Sequence, residues 1–294
     1  MLEGRSLAEA IRARVHADVE TLTEAGHVPT LATVLMSDDD AATSYMDRKH
    51  EACEAAGIAT RRVDLPPDAS ADTLYDAVER LGTDSDVTAL FVQTPLPAHV
   101  DSAAVSDRVP PVKDVECAAF ENLGRLVAGD PRVVPPTPAA VLRLLRTYEI
   151  EVARRDVVIV GRTTAICKPL ANLLLATGPA GDATVTVCHT ATTDLPAKTR
   201  RADILVTAAG EPELVDASMV TPGTVVVDIS ANRVPAADGY DLVGDVAFES
   251  VAELASAITP VPGGVGPLTL ALLLRNVVHV TARGTGFDGA LRTD

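Results

Sequence analysis

Short aliphatic runs alternate with helix-like segments along the whole chain, and this alternation constrains the fold more than any other feature. In the first half, the predicted strands are Leu31–Leu35, Thr60–Leu65 and Ala89–Val92. The predicted helices between them are Ser6–Ala25, Ala41–Ala56, which ends at Gly57 in C-cap position, and Ala71–Leu81. Strands and helices that alternate at this spacing indicate β-α-β units and a parallel sheet.

The second half repeats the pattern more clearly. Its predicted strands are Asp156–Val160, Ala183–Val187, Ile204–Thr207 and Thr224–Asp228, and its predicted helices are Ala139–Tyr148, Lys168–Ala176 and, after the loop Pro260–Pro267, Leu268–Ala282. This order is typical of a doubly wound sheet. The proline-rich stretch Val133–Pro138 interrupts the alternation, so we place a domain boundary there.

Composition narrows the class of protein. Aromatic residues make up 3% of the 294 residues and Trp is absent, so the core is built from aliphatic side chains, as in buried parallel sheets. The net charge of −16 has no compensating basic patch, which argues against a nucleic-acid partner. We expect no apolar stretch long enough and free enough of charge to span a bilayer, and we see no signal-peptide pattern. The four cysteines and the histidines show no ligand spacing, which predicts a reduced cytoplasmic protein without a metal site.

The turn after the strand Asp156–Val160 has features of a phosphate-binding loop. It reads Gly161-Arg162-Thr163 and leads to a helix that starts near Pro169, whose free N–H groups could face an anion. Only the first glycine of G-x-G-x-x-G is present, so a plain strand-turn-helix stays open as an alternative. The next strand ends at Cys188-His189-Thr190, without an acidic residue for a ribose hydroxyl. With Arg162 nearby, a bound dinucleotide would be NADP rather than NAD.

Candidate catalytic side chains lie in the first half. Tyr45 and Lys49 are four residues apart and share one helix face, although an ordinary amphipathic helix would show the same spacing. The chain has four lysines against many arginines, so a retained Lys is either a matter of chance or a residue needed where a proton must be lost. Gln93 follows a strand directly and either lines a site or caps a turn. The segment Lys113–Glu116 is either functional or a solvated charge cluster.

Taken together and in order along the chain, these motifs resemble those of the methylenetetrahydrofolate dehydrogenase/cyclohydrolase family. The matching segments are Tyr45–Lys49 with Gly57-Ile58, Val92–Pro97, Lys113–Glu116 with Asn122–Gly124, Pro135–Pro138, Val160–Thr163, and Pro260–Pro267 with Thr269. The last of these resembles the family's P-V-P-G-G-V-G-P-x-T almost without change. The resemblance covers nearly the full length.

The resemblance implies a two-domain α/β fold with a cleft between the domains. The N-terminal α/β catalytic domain would comprise residues 1–138 plus the C-terminal helix 268–294, and residues 139–267 would form a Rossmann-like doubly wound NADP-binding domain. The implied activity is NADP-dependent oxidation of 5,10-methylenetetrahydrofolate to the methenyl form, followed by cyclohydrolysis to 10-formyltetrahydrofolate. The family's dimer contacts run through the nucleotide domain, so a homodimer is implied.

The resemblance also implies roles for individual residues. Lys49 corresponds to the family's acid/base, Gln93 to the residue that tunes it, Tyr45 to the side chain against the folate, and Glu116 to the carboxylate that holds the pterin. The implied cofactor-binding residues are Gly161, Arg162, Thr163, Thr190 and Ala231. The implied substrate-binding residues are Tyr45, Pro262, Gly263 and Gly264.

Several positions depart from the family motifs. The family's D-G-F-H-P reads Glu116–Phe120, which lengthens the carboxylate by one methylene and puts Cys117 where the backbone was bare, in a position that can require φ > 0. Cys167 stands where a glycine lets the cofactor approach, and Ser230–Asn232 replaces G-I-N. A divergent paralogue that uses Lys49 on an iminium-type substrate and a non-catalytic binding module are therefore the alternatives.

Overall fold

The computed structural model describes residues 1–178, 180–236 and 239–292, and the chain divides into two compact units. The first, here called the 9–134 unit, comprises Glu9–Val134 and the chain from Leu270 onwards. The second, the 135–269 unit, comprises Met1–Ala8 and Pro135–Thr269. Each unit contains its own parallel β-sheet with helices, which confirms the predicted two-domain α/β fold.

The helices and strands up to residue 134 follow the predicted alternation. They are α1 (Arg5–Glu24), β1 (Thr30–Met36), α2 (Asp40–Ala55), β2 (Ala59–Leu65), α3 (Ala71–Thr83), β3 (Ala89–Val92), α4 (Ser102–Arg108) and α5 (Phe120–Val127). The prediction located the first six of these within about three residues at each end. It did not include α4 and α5.

The sheet of the 9–134 unit has β1 at its centre, with β2 and β3 parallel to it on either side. Every residue of β1 is buried, as expected for an aliphatic strand covered on both faces. Helix α2 begins where the Asp39 carboxylate caps the N–H of Ala42, and Gly57, with φ +79°, follows its end. The carboxyl ends of β1 and β3 lie at the same edge of the sheet, so the start of α2 and Gln93, which follows β3, belong to one edge.

The elements from residue 135 onwards include the strands of the second sheet. They are α6 (Pro136–Thr147), β4 (Asp156–Val160), α7 (Cys167–Leu175), β5 (Thr184–Cys188), α8 (Leu195–Thr199), β6 (Ile204–Thr207), β7 (Val225–Asp228), β8 (Asn232–Ala236), β9 (Gly239–Val243), α9 (Phe248–Ala252), β10 (Ala257–Ile258) and α10 (Val265–Thr285). Strands β8 and β9 pair as a separate antiparallel hairpin. The prediction did not include this hairpin, α8, α9 or β10.

The five parallel strands of the 135–269 unit run in the order β10-β7-β6-β4-β5. From β4 the chain continues to β5 on one side, and β6 then lies on the other side of β4. Strand order therefore reverses between β4 and β6, and ligands of doubly wound sheets bind outside the carboxyl ends of strands at such a point. The turn that begins at Gly161 and the loop that begins at Ala208 follow these two strands directly.

Helix α10 differs from its prediction in two ways. It begins at Val265, three residues before the expected start, so the end of the predicted loop Pro260–Pro267 is helical. It is also long and apolar enough to cross a membrane by length and composition, so the expectation that no stretch meets these criteria was wrong. Because about two thirds of its apolar stretch is buried inside the protein, α10 has the character of a core helix.

Candidate active site

Lys49 is a buried lysine in the 9–134 unit. It lies on α2, and only 2% of its surface is exposed. Its amine lies 4.3 Å from the ring centre of Tyr45, one turn earlier on the helix, and 3.4 Å from that of Phe91 on β3. Aromatic faces attract a cation but offer it no hydrogen-bond acceptor, so they do not replace the water that a charged amine loses on burial.

Gln93 supplies the polar contact that the rings do not. The Lys49 amine donates a hydrogen bond to the side-chain oxygen of Gln93 at 3.0 Å, and the Gln93 amide in turn donates to the carbonyl of Thr94. The second bond fixes which end of the amide faces the lysine. A neutral acceptor holds the amine in place without adding the negative charge that would keep it protonated.

Burial and charge act in opposite directions on Lys49. Burial lowers the pKa of Lys49 from its ordinary value to about 8, while the nearby Glu116 carboxylate opposes part of that shift. Burial in turn raises the pKa of Glu116, and the neighbouring Lys49 works against that rise. Burial and the Glu116 charge together raise the pKa of Tyr45 to about 12, so the phenol keeps its proton. The site therefore contains an amine that can gain and lose a proton near neutral pH.

Asp114 holds the segment that carries Glu116. Its buried carboxylate accepts hydrogen bonds from the backbone N–H groups of Glu116, Ala118 and Ala119 and from the side-chain amide of Asn122. The alternative of a solvated charge cluster at Lys113–Glu116 is therefore wrong. Cys117 lies at the centre of this turn with φ +59°, the backbone conformation expected at that departure from the motif.

The turn after β4 begins at a glycine whose position leaves no room for a side chain. Gly161 adopts φ +137°, and a Cβ atom there would come within 2.5 Å of the carbonyl oxygen of Ala208. Arg162 and Thr163 are exposed, and the Arg162 guanidinium lies 3.4 Å from the hydroxyl of Thr190, which follows β5. The guanidinium and the hydroxyl are both donors to an anion, so these residues fit a phosphate group of a dinucleotide.

Cys167 does not face this surface. Its side chain is fully buried, its sulfur accepts a hydrogen bond from the hydroxyl of Thr163, and the sulfur lies within reach of the Ala208 carbonyl. The replacement of glycine by cysteine therefore adds no side chain to the exposed surface of the turn, because the thiol packs beneath it. Helix α7 begins at Cys167, so Pro169 falls in its first turn.

The remaining predicted residues also lie in the 135–269 unit. Ala231 is exposed and stands between Ser230 and Asn232, just before β8. Pro262 is exposed, whereas Gly263 and Gly264 are buried. Gly263 accepts a hydrogen bond from the N–H of Gly4, and Gly264 donates to the carbonyl of Pro260.

The structure thus brings the predicted residues together in two groups. Lys49, Tyr45, Gln93 and Glu116 come together in the 9–134 unit, and Arg162 and Thr190 come together in the 135–269 unit. Sequence reasoning missed Phe91, because a phenylalanine inside an aliphatic strand carries no signal beyond burial. Among residues 1–178, 180–236 and 239–292, no group of three or more His, Cys, Asp or Glu residues could hold a metal ion.

Comparison with known proteins identifies both halves of the chain. Residues 2–116 match the model of the tetrahydrofolate dehydrogenase/cyclohydrolase catalytic domain, and residues 135–285 match that of the NAD(P)-binding domain of the same family. The bifunctional protein FolD of Natronomonas pharaonis is 50% identical over 99% of both chains. That of Haloquadratum walsbyi is 48% identical over 97% of this chain and 92% of its own length.

Solved structures agree with these matches. A bifunctional methylenetetrahydrofolate dehydrogenase/cyclohydrolase from Campylobacter jejuni superposes with a TM-score of 0.90 at 37% identity, over 96% of this chain and 98% of its own. The dehydrogenase-cyclohydrolase of Trypanosoma brucei, solved with NADP and an inhibitor, gives 0.90 at 36% identity over 96% and 97% of the two chains. The chain therefore belongs to the tetrahydrofolate dehydrogenase/cyclohydrolase family.

Proposed function

We propose that this protein oxidises 5,10-methylenetetrahydrofolate with NADP and hydrolyses the methenyl product to 10-formyltetrahydrofolate. The observation that carries the proposal is the buried Lys49 amine, which is hydrogen-bonded to Gln93, close to Glu116 and has a pKa of about 8. At pH 7.5, roughly a quarter of such an amine is neutral, whereas an ordinary lysine is almost wholly charged. The similarity to FolD proteins supports the same activity.

In the oxidation, the one-carbon unit loses a hydride and becomes a cation shared between two nitrogens. NADP, when bound, accepts that hydride. A neutral Lys49 does not repel the developing positive charge, and the Glu116 carboxylate stabilises it. Tyr45, which keeps its proton, offers an aromatic face and a hydroxyl to the folate rings.

In the hydrolysis, water adds to the methenyl carbon and must lose a proton. We assign Lys49 as the base that takes this proton and then returns it to the folate nitrogen as the carbon–nitrogen bond breaks. Gln93 holds the amine in place through both transfers. An arginine could not do this, because it does not lose its proton in this pH range.

In this proposal, residues of the 135–269 unit bind the dinucleotide. The turn Gly161–Thr163 would hold phosphate, and Arg162 with Thr190 would hold the extra phosphate that distinguishes NADP from NAD. Ala231 would lie against the cofactor, and Pro262, Gly263 and Gly264 would contribute to the folate side. The domains in this proposal are residues 1–138 with 268–294, and residues 139–267.

The test uses purified full-length protein, methylenetetrahydrofolate and NADP. We expect absorbance of the reduced cofactor to appear and, with methenyltetrahydrofolate alone, the methenyl absorbance to decay faster than in an enzyme-free blank. Lys49→Gln should abolish hydrolysis, while Lys198→Gln, an exposed lysine on α8, serves as the matched control. A Lys49→Gln protein that hydrolyses the methenyl compound at the wild-type rate would refute the acid/base assignment.

We also propose a homodimer in the cytoplasm. Strand β5 ends one side of the five-stranded sheet and Val187 on it is 39% exposed, and an open edge of this kind can pair with a second chain. The four cysteines are free, which fits a reducing compartment. Sedimentation equilibrium tests the dimer, and a monomeric mass at micromolar concentration would exclude it.

A further inference from the structure

Asp245 is a fully buried carboxylate at the carboxyl-end edge of the second sheet. It follows β9, and its side chain lies between the loop after β6 and the segment after β7. Both segments follow the carboxyl ends of parallel strands, and ligands of doubly wound sheets bind outside that edge of the sheet. Nothing in the proposed chemistry uses Asp245 directly.

Five donors converge on this one carboxylate. From the loop after β6, the backbone N–H groups of Ala209, Gly210 and Glu211 donate to it at 2.6, 3.3 and 2.9 Å. From the segment after β7, the Ser230 hydroxyl donates at 2.7 Å and the Asn232 side-chain amide at 3.0 Å. Hydrogen bonds to a charged acceptor are stronger than neutral ones, so Asp245 ties the two segments together.

The surroundings of the two segments explain why they need hydrogen bonds that fix their positions. Residues 209–213 are exposed, and Gly210 has φ +72° with open space where a Cβ would stand. Beneath them, Asp228 at the end of β7 accepts hydrogen bonds from the Thr207 hydroxyl and the Ser230 N–H. Besides the Asp245 contacts, the Gly210 N–H lies 3.3 Å from the Ser230 hydroxyl oxygen, a longer hydrogen bond between the same two segments.

We propose that Asp245 is a positioning residue for the cofactor, because it holds residues 209–211 and 230–232 in the conformation that binds the dinucleotide. This inference rests on the proposed use of NADP. Asp245 itself does not touch the cofactor, since all its oxygens face protein donors and none of its surface is exposed. Ala231, predicted to contact the cofactor, lies between two of the residues that it holds.

The first experiment compares Asp245→Asn with wild type and with Asp216→Asn. In Asp245→Asn, one oxygen becomes an NH₂ group that cannot accept, so two or three of the five donors lose their partner. Asp216 is an exposed carboxylate in the same unit that caps the short turn at Ser218, so it is the matched control. We expect the Kd for NADP, measured by calorimetry, to rise about tenfold or more in Asp245→Asn and to change less than about twofold in Asp216→Asn.

Two further measurements separate positioning from general damage. The KM for NADP should rise in Asp245→Asn while the KM for methylenetetrahydrofolate stays within about twofold. In the ligand-free protein, the amides of residues 209–211 should exchange hydrogen faster than in wild type, with no change in β4. Equal increases in both KM values, or unchanged NADP affinity in a folded variant, would overturn the proposal.

If Asp245→Asn does not fold, two substitutions that each remove a single hydrogen bond to Asp245 test the proposal instead. Ser230→Ala and Asn232→Ala each remove one donor and leave the carboxylate with four, although Ser230→Ala also removes an acceptor of the Gly210 N–H. Both should weaken NADP binding two- to fivefold and speed amide exchange at residues 209–211; wild-type values in both would overturn the proposal. If wild-type protein binds no NADP, the proposed function fails, whereas the amide exchange still tests the role of Asp245.

Discussion

The Lys49 amine donates a 3.0 Å hydrogen bond to the Gln93 side chain, which joins helix α2 to the residue that follows strand β3. This contact crosses 44 residues of sequence and brings the proposed base to the carboxyl edge of the first sheet. The Gln93 side-chain amide is uncharged, and this matters because a charged acceptor at the same distance would keep the lysine protonated. The pH dependence of the reaction therefore depends on an uncharged partner.

Hydrolysis of the methenyl substrate should show this pH dependence directly. Because the neutral amine is the base and its pKa is about 8, we expect kcat, corrected for the enzyme-free reaction, to rise with pH through an inflection near 8. Gln93→Glu places a carboxylate beside the amine and should move the inflection upward. An inflection that stays in place in this variant would show that Lys49 does not control the profile.

Removal of the Glu116 charge should shift the same inflection in the opposite direction. Its carboxylate raises the pKa of Lys49 against the effect of burial, so Glu116→Gln should leave the amine more easily deprotonated and move the inflection below that of wild type. The KM for the folate should rise as well if the carboxylate holds the pterin. Glu121→Gln, which removes an exposed carboxylate on α5, is the matched control and should move neither quantity.

The sequence allowed prediction of the sheets because buried parallel strands are aliphatic runs with a distinct beginning and end. It did not allow prediction of α4, α5 or the hairpin β8–β9, because elements of five to eight residues are too short to show a clear periodicity. Asp101, for example, caps α4 through the N–H of Ala103. Such an aspartate is indistinguishable in sequence from a loop residue.

The candidate site was predictable only in part. The spacing of Tyr45 and Lys49 placed them on one helix face, but burial of the amine depends on Phe91, which comes from another element. The convergence of five donors on Asp245 depends on three separate chain segments, so no local pattern contains it. The burial of Cys167 likewise follows from the position of Ala208, 41 residues away.

Asp228 should make the stability of the protein depend on pH. Burial raises the pKa of Asp228 from 3.8 to about 6, so the folded state binds its proton more tightly than the unfolded state does. The stabilising contribution is complete below pH 3.8 and is lost as the pH rises through 6. The unfolding free energy of wild type relative to Asp228→Asn should fall by up to about 3 kcal/mol between pH 4 and pH 7. Urea titrations of both proteins measure it, and a constant difference would contradict the shifted pKa.

Gly4 should tolerate no side chain. Its N–H donates to Gly263, and a Cβ atom at position 4 would come within 2.1 Å of the carbonyl oxygen of Gly264, which is backbone and cannot rotate away. We expect Gly4→Ala to lower the unfolding free energy by about 1–3 kcal/mol. Gly266→Ala is the control, since nothing lies near its Cβ position in α10; it should be neutral or raise stability by up to about 1 kcal/mol. Equal denaturation midpoints for the two variants would show that the backbone around Gly4 and Gly264 shifts to make room for the added Cβ atom.

The net charge of −16 should make stability depend on salt. Like charges on a folded surface are closer together than in the unfolded chain, so their repulsion opposes folding, and salt shortens its range from about 30 Å at 0.01 M to about 3 Å at 1 M. The Tm at pH 7 should therefore rise with KCl, most steeply at low concentrations where screening changes the repulsion most. Salting-out of apolar surface also raises Tm, but it continues to grow at molar salt, so sulfate and chloride at equal ionic strength separate the two effects. A Tm that is flat below about 0.3 M and rises only above it would assign the salt response to the apolar core rather than to the acidic surface.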